Sequence, residues 1–140
     1  MRTAVAAALL SAALAAGAAA GYARDARFIA FRTPSGNIGC IYTNAPDVLR
    51  CDIRSGLNPR PRSPGRCDGE YGDALQMGPA GRPAIICHGD TAIEPGSQKL
   101  AYGRSLGLGP FQCTSRTTGL TCTNSRGHGW FLSRESYRLF

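Results

Sequence analysis

With 140 residues, the chain is long enough for one modest hydrophobic core and too short for several domains. Eighteen glycines and nine prolines leave long helices nowhere to form, while 43% hydrophobic residues suffice for a packed interior. Sixteen basic residues, all arginine except Lys99, against nine acidic ones give a net charge of +7. The charges are scattered, so nucleic acid is not an expected partner, whereas anionic surfaces such as lipid headgroups or acidic glycans are.

The chain begins with an export signal. Arg2 supplies the positive charge, residues 3–20 are an apolar run of Ala, Val and Leu, and small-x-small cleavage sites end at Ala20 and Ala23. The run is too weakly apolar for a spanning helix, so residues 1–23 read as a cleaved signal peptide and 24–140 as one exported, β-rich domain. No cysteine near the cleavage region can accept a lipid and no twin arginine is present, so periplasm or exterior is the expected location and the mature protein does not span a membrane.

Short alternating runs follow. Strands are predicted at Phe28 to Arg32, Ile38 to Thr43 and Val48 to Arg54, the last with Leu49, Cys51 and Ile53 on one face and Arg50, Asp52 and Arg54 on the other. Residues 55–66 form an irregular loop in which Pro59, Pro61 and Pro64 alternate with arginines, favouring an extended, stiff path. A short helical turn is expected near Ala74 to Met77. Further strands are predicted at Ala84 to His88, Lys99 to Tyr102, Phe111 to Ser115, Leu120 to Asn124, Trp130 to Arg134 and Tyr137 to Phe140. The whole reads as a mainly β, disulfide-stapled antiparallel sandwich or partly open barrel with little helix.

All six cysteines lie in the exported part, which in an oxidising compartment means three disulfides. A weak internal repeat guides their pairing. "CIYTNAPDVLRC" (40–51) and "CTSRTTGLTC" (113–122) share the layout cysteine, turn material, Leu-x-Cys. A hairpin with one cysteine on each arm can close its own bridge, so Cys40 is expected to pair with Cys51 and Cys113 with Cys122, leaving Cys67 for Cys87. The absence of any C-x-x-C pair disfavours zinc.

Six blocks appear in order: "TPSGNIGC" (33–40), "LRCDI" (49–53), "CHGDT" (87–91), "LAYG" (100–103), "GLTCTN" (119–124) and "GHGWFLSRESY" (127–137). Together, over residues 28–140, they resemble a family of small exported bacterial domains without an assigned function. That family usually carries Phe where this chain has Trp130. The resemblance implies a secreted, disulfide-bonded domain and supplies no catalytic residues to transfer.

Several groups merit weighing for chemistry. His88 and Asp90, two apart, could form a base with its orienting carboxylate or share a metal, or Asp90 could cap the turn by accepting the amides beyond it. His128 between two glycines is accessible to a ligand, or marks a bend before the Trp130 strand with its ring on a backbone carbonyl. Asp68, Glu70 and Asp73 offer oxygens for calcium but lack the spacing of a calcium loop. Ser133 and Ser136 lack the nucleophile elbow of a hydrolase. Arg60, Arg62 and Arg66 form the best binding candidate, since guanidinium forks suit phosphate, sulfate or carboxylate groups.

The sequence therefore predicts a binding or envelope-associated module without a cofactor, its partner an anionic envelope component or another protein. A secreted enzyme inhibitor inserting the 54–66 loop, or a small metal-dependent or hydrolytic enzyme using His88, Asp90 and His128, are the alternatives.

Overall fold

A computed structural model describes residues 25–140; the expected signal peptide lies outside the described residues. Among these residues, no helix is long and apolar enough to cross a membrane. The described residues form eleven strands: β1 (Phe28–Arg32), β2 (Ile38–Asn44), β3 (Asp47–Ile53), β4 (Ala74–Met77), β5 (Ala84–Ile85), β6 (Gln98–Lys99), β7 (Ser105–Leu108), β8 (Phe111–Arg116), β9 (Gly119–Thr123), β10 (Gly129–Leu132) and β11 (Tyr137–Leu139). They build two sheets, in the orders β5-β4-β3-β2-β1-β6 and β11-β10-β9-β8-β7. The expected small β-sandwich is therefore the fold.

Each sheet is a meander of five consecutive strands, and β6 adds to the first sheet as its single parallel neighbour, beside β1. The internal repeat of the sequence is the second and third strand of each meander. Cys40 faces Cys51 across β2 and β3, and Cys113 faces Cys122 across β8 and β9. In both hairpins the Cα atoms are 4.1 Å apart and the disulfide is closed, the short separation of a non-hydrogen-bonded antiparallel pair. Cys67 and Cys87 form the third bridge.

The core lies between the sheets. Phe31, Leu49, Leu75, Leu108, Phe111, Leu120, Trp130 and Leu132 are buried there with four of the cysteines. Alternation turns Trp130 inward and leaves Phe131 half-buried on the opposite face. The indole Nε1 of Trp130 and the hydroxyl of Ser115 are buried without a hydrogen-bond partner among the described residues.

Three expectations need correction. Ala74 to Met77 is not a helical turn but strand β4, pairing with β3 from Asp52↔Ala74 to Leu49↔Met77. Its alanine, leucine and methionine favour helix locally, yet the unpaired edge of β3 captures them because Ala74, Leu75 and Met77 thereby become buried. Strand β7 was not anticipated, because Gly107 and Gly109 break its apolar pattern. The run at Ala84 to His88 shrinks to Ala84–Ile85, that at Lys99 to Tyr102 keeps only Lys99, in the two-residue strand Gln98–Lys99, and beyond β5 His88 keeps an isolated bridge to Glu70.

Between β5 and β6 the chain runs as a strap over the outer face of the first sheet. Gly39 on β2 makes room for it: a Cβ there would lie 2.6 Å from the Cα of Ile93. Within the strap, Ala92 is fully buried.

Candidate functional site

The outer face of β3 carries Arg50 and Asp52 side by side, as alternation along a strand requires. Arg50 grips the Asp52 carboxylate with both ends of its fork, Nε to Oδ1 at 2.8 Å and Nη2 to Oδ2 at 2.9 Å. It also reaches the strap, donating to Oδ1 and to the carbonyl oxygen of Asp90, each at 2.9 Å. Asp52 completes the junction by accepting the amide of Ala92 at 2.8 Å. Asp52, rather than the expected Asp90, therefore receives the amide beyond the turn. Burial opposes the Arg50 charge, but the bonds to Asp52 and Asp90 outweigh it and hold the guanidinium more firmly protonated than usual. The same bond from Arg50 holds the Asp90 carboxyl below its ordinary range.

His88 sits beside this junction with its side chain only 7% exposed. Its Nε2 meets Asp73 Oδ1 at 2.8 Å, and its Nδ1 meets the carbonyl oxygen of Asp90. A carbonyl and a carboxylate only accept, so both ring nitrogens must carry protons to satisfy both contacts. Burial works against that charge, but the bonds to Asp73 and to the Asp90 carbonyl prevail and raise the imidazole above its usual range. Both ring nitrogens are thus engaged within the protein. His88, Asp73, Asp90, Arg50 and Asp52 form a clamp that pins the strap to the sheet.

The other sequence candidates are dispersed. His128 lies in the β9–β10 turn, where its amide donates to Asn124 Oδ1 and its carbonyl accepts the Asn124 amide, while its ring makes no hydrogen bond among the described residues. The flanking glycines are structural: Gly127 has φ +79°, and a Cβ on Gly129 would lie 1.9 Å from the Cys122 carbonyl oxygen. Asn124 is tied to the Gly78 and Gly81 carbonyls beyond the end of β4, whereas Asp73 precedes its start. His88 is thus tied to the start of β4, and the turn that carries His128 to the segment beyond its end. Among the described residues, no three His, Cys, Asp or Glu side chains are grouped to hold a metal ion.

In the acidic turn, Asp68 binds Arg66, Glu70 faces Arg60 and Asp73 binds His88, so the three carboxylates point to three different cations. Arg60 also donates to the Tyr71 carbonyl at 2.8 Å. Of the three loop arginines, Arg62 alone makes no ion pair among the described residues. Ser133 donates to the Ser136 carbonyl and accepts the Ser136 amide, a local turn.

What the sequence did not single out is a polar cleft at one end of the sandwich. The β1–β2 turn, the β8–β9 turn, the β10–β11 turn and the segment before β7 converge there. Thr33, Ser35 and Asn37 line it from one sheet, Arg116, Thr117, Thr118, Ser133, Arg134 and Glu135 from the other, and Tyr102 stands on its rim. Its volume is about 180 Å³. The walls are tied together from behind. Asn37 and Ser55 exchange two hydrogen bonds at 3.1 Å, and Asn58 donates to the Glu135 carbonyl at 3.0 Å. The proline-rich loop thus braces turns from both sheets. Arg116, Arg134 and Glu135 make no ion pair or side-chain hydrogen bond among the described residues, and Tyr102 is 46% exposed. Three of the six sequence blocks, "TPSGNIGC", "LAYG" and "GHGWFLSRESY", contribute most of these side chains and a fourth, "GLTCTN", contributes Gly119, whereas Arg116, Thr117 and Thr118 lie outside the blocks.

A family model covers residues 8–140, nearly the whole chain. The chain belongs to the DUF6636 family, a family of unknown function. This agrees with the resemblance to a family lacking an assigned function, and membership in DUF6636 assigns no role to the clamp or to the cleft. No curated protein and no solved structure matches the chain.

Proposed function

We propose that this member of DUF6636 is an exported binding module whose working surface is the polar cleft, and not an enzyme built on His88. The observation that carries this reading is a contrast in how polar groups are used. In the clamp, His88, Asp73, Arg50 and Asp52 spend their bonding capacity on one another and on the strap. In the cleft, Arg116, Arg134 and Glu135 keep theirs, and the turn that carries Arg134 and Glu135 is anchored by Asn58. Groups held in place but unpaired lose little freedom on meeting a ligand.

Export is supported by three disulfides, which persist in oxidising compartments outside the cytoplasm, and the net positive charge would favour retention on anionic envelope material. The test is cosedimentation of the mature protein with isolated bacterial envelopes. Wild type is expected in the pellet, and an Arg116→Ala/Arg134→Ala variant in the supernatant at an unchanged melting temperature. An Arg60→Ala/Arg62→Ala variant should pellet like wild type. Equal pelleting of the cleft variant would overturn the assignment of the surface. Amino-terminal sequencing of the secreted protein should begin within residues 21–24, and a retained Met1 would overturn export by cleavage.

A further inference from the structure

We infer that the ligand of this cleft is an anionic sugar, bound as a single ring of an acidic oligosaccharide. The inference rests on the cleft-binding reading and narrows it to a chemical class. About 180 Å³ is well below the roughly 300 Å³ at which drug-sized sites begin, and suits one sugar ring. The lining is polar: the hydroxyls of Thr117 and Thr118 make no hydrogen bond among the described residues and can both donate and accept, those of Thr33, Ser35 and Ser133 and the amide of Asn37 are already bonded within the protein, and Ile38 is the one large aliphatic side chain.

A peptide segment would need apolar pockets for alternate side chains, which this lining lacks. Tyr102 on the rim presents an exposed ring, the flat apolar partner that the C–H face of a sugar uses. Two guanidinium groups, Arg116 and Arg134, have no partner among the described residues, and the single carboxylate in the cleft, Glu135, leaves an excess of one positive charge. Guanidinium forks bind carboxylate or phosphate in paired, charge-assisted hydrogen bonds, and Glu135 can accept from ring hydroxyls. Carboxylate-bearing and phosphate-bearing sugars share this chemistry.

The test is amide-resolved NMR titration of the mature protein with four probes: oligogalacturonate, a phosphomannan oligosaccharide, neutral mannohexaose and a polyglutamate peptide of equal charge. Shifts confined to residues 33–38, 102, 116–119 and 133–135 are expected with one or both anionic sugars. Binding should weaken about tenfold for each of Arg116→Ala and Arg134→Ala, the scale of one charge-assisted hydrogen bond. It should weaken again for Tyr102→Ala, whose fold is checked by the unperturbed remainder of the spectrum. Equal or tighter binding of mannohexaose or polyglutamate at these residues would overturn the anionic-sugar assignment while leaving a binding cleft. Anionic-sugar shifts elsewhere on the molecule, or no shift with any probe, would overturn it too. If the envelope pelleting above also fails to depend on Arg116 and Arg134, the binding reading falls with it.

Discussion

Asp52 shows how one buried carboxylate can organise a surface. Its side chain is 2% exposed and accepts from Arg50 twice and from the Ala92 amide once. Removing it leaves the buried Ala92 amide without its partner and the Arg50 guanidinium held by Asp90 alone. Asp52→Ala is therefore expected to cost about 3 kcal/mol in urea unfolding; a cost under about 1 kcal/mol would show the clamp to be dispensable. His88 gives the clamp a pH signature. Its folded-state pKa is raised above the ordinary 6.5, so its stabilising contact is fully present below that value and is lost as pH rises through the folded pKa. Asp90 is shifted the other way: its contact is present above the ordinary 3.8 and is lost as pH falls through its depressed pKa. Melting temperature followed across pH should decline as pH rises above 6.5 and through the raised folded pKa, and His88→Gln should flatten that decline. An unchanged alkaline limb in the variant would show that another group titrates there. Half of this junction was legible, because alternation put Arg50 and Asp52 on the polar face of a predicted strand. Asp73 was not, since nothing in local sequence links it to a histidine fifteen residues later.

Elements here are decided by what lies beside them. Gly39 has an ordinary strand position, and its lack of a side chain matters because the strap crosses it, with the Ala92 carbonyl oxygen 3.0 Å and the Ile93 Cα 2.6 Å from a virtual Cβ. Gly39→Ala must lift the strap backbone, and is expected to cost about 2 kcal/mol, the scale of overpacking a tight contact. Hydrogen exchange at the Ala92 amide should speed up in the variant while exchange in β8 and β9 stays slow. Uniform acceleration across both sheets would mean that the strap is not a separate unit. Strand β4 carries the same lesson from the other side. Its sequence suits a helical turn, and the β3 edge made it a strand.

For the whole molecule, the disulfides divide into two kinds. Cys40–Cys51 and Cys113–Cys122 are fully buried between the sheets, whereas Cys67–Cys87 tethers the long excursion between β3 and β5 at the surface. Reductant should therefore reach Cys67 and Cys87 first, as alkylation and mass mapping under native conditions would record. Opening that pair should leave both meanders folded, and simultaneous loss of all three bridges would contradict this. Each bridge closes a loop worth about 3 kcal/mol of denatured-state entropy, a large share of the stability of a domain this size.

The sequence alone determined the fold class, most strand positions and the hairpin disulfides, because these follow from period-two alternation, turn residues and the short reach of a cysteine pair on facing arms. It also marked His88 and Asp90 as neighbours. Only the tertiary structure decided what they do: the strap returns Asp90 to Arg50 and His88 to Asp73, turning a suggestive pair into a clamp. It alone assembled the cleft as well. Thr33, Tyr102, Arg116 and Arg134 are scattered over a hundred residues, and they meet because the turns of two stacked meanders end at the same edge of one sandwich.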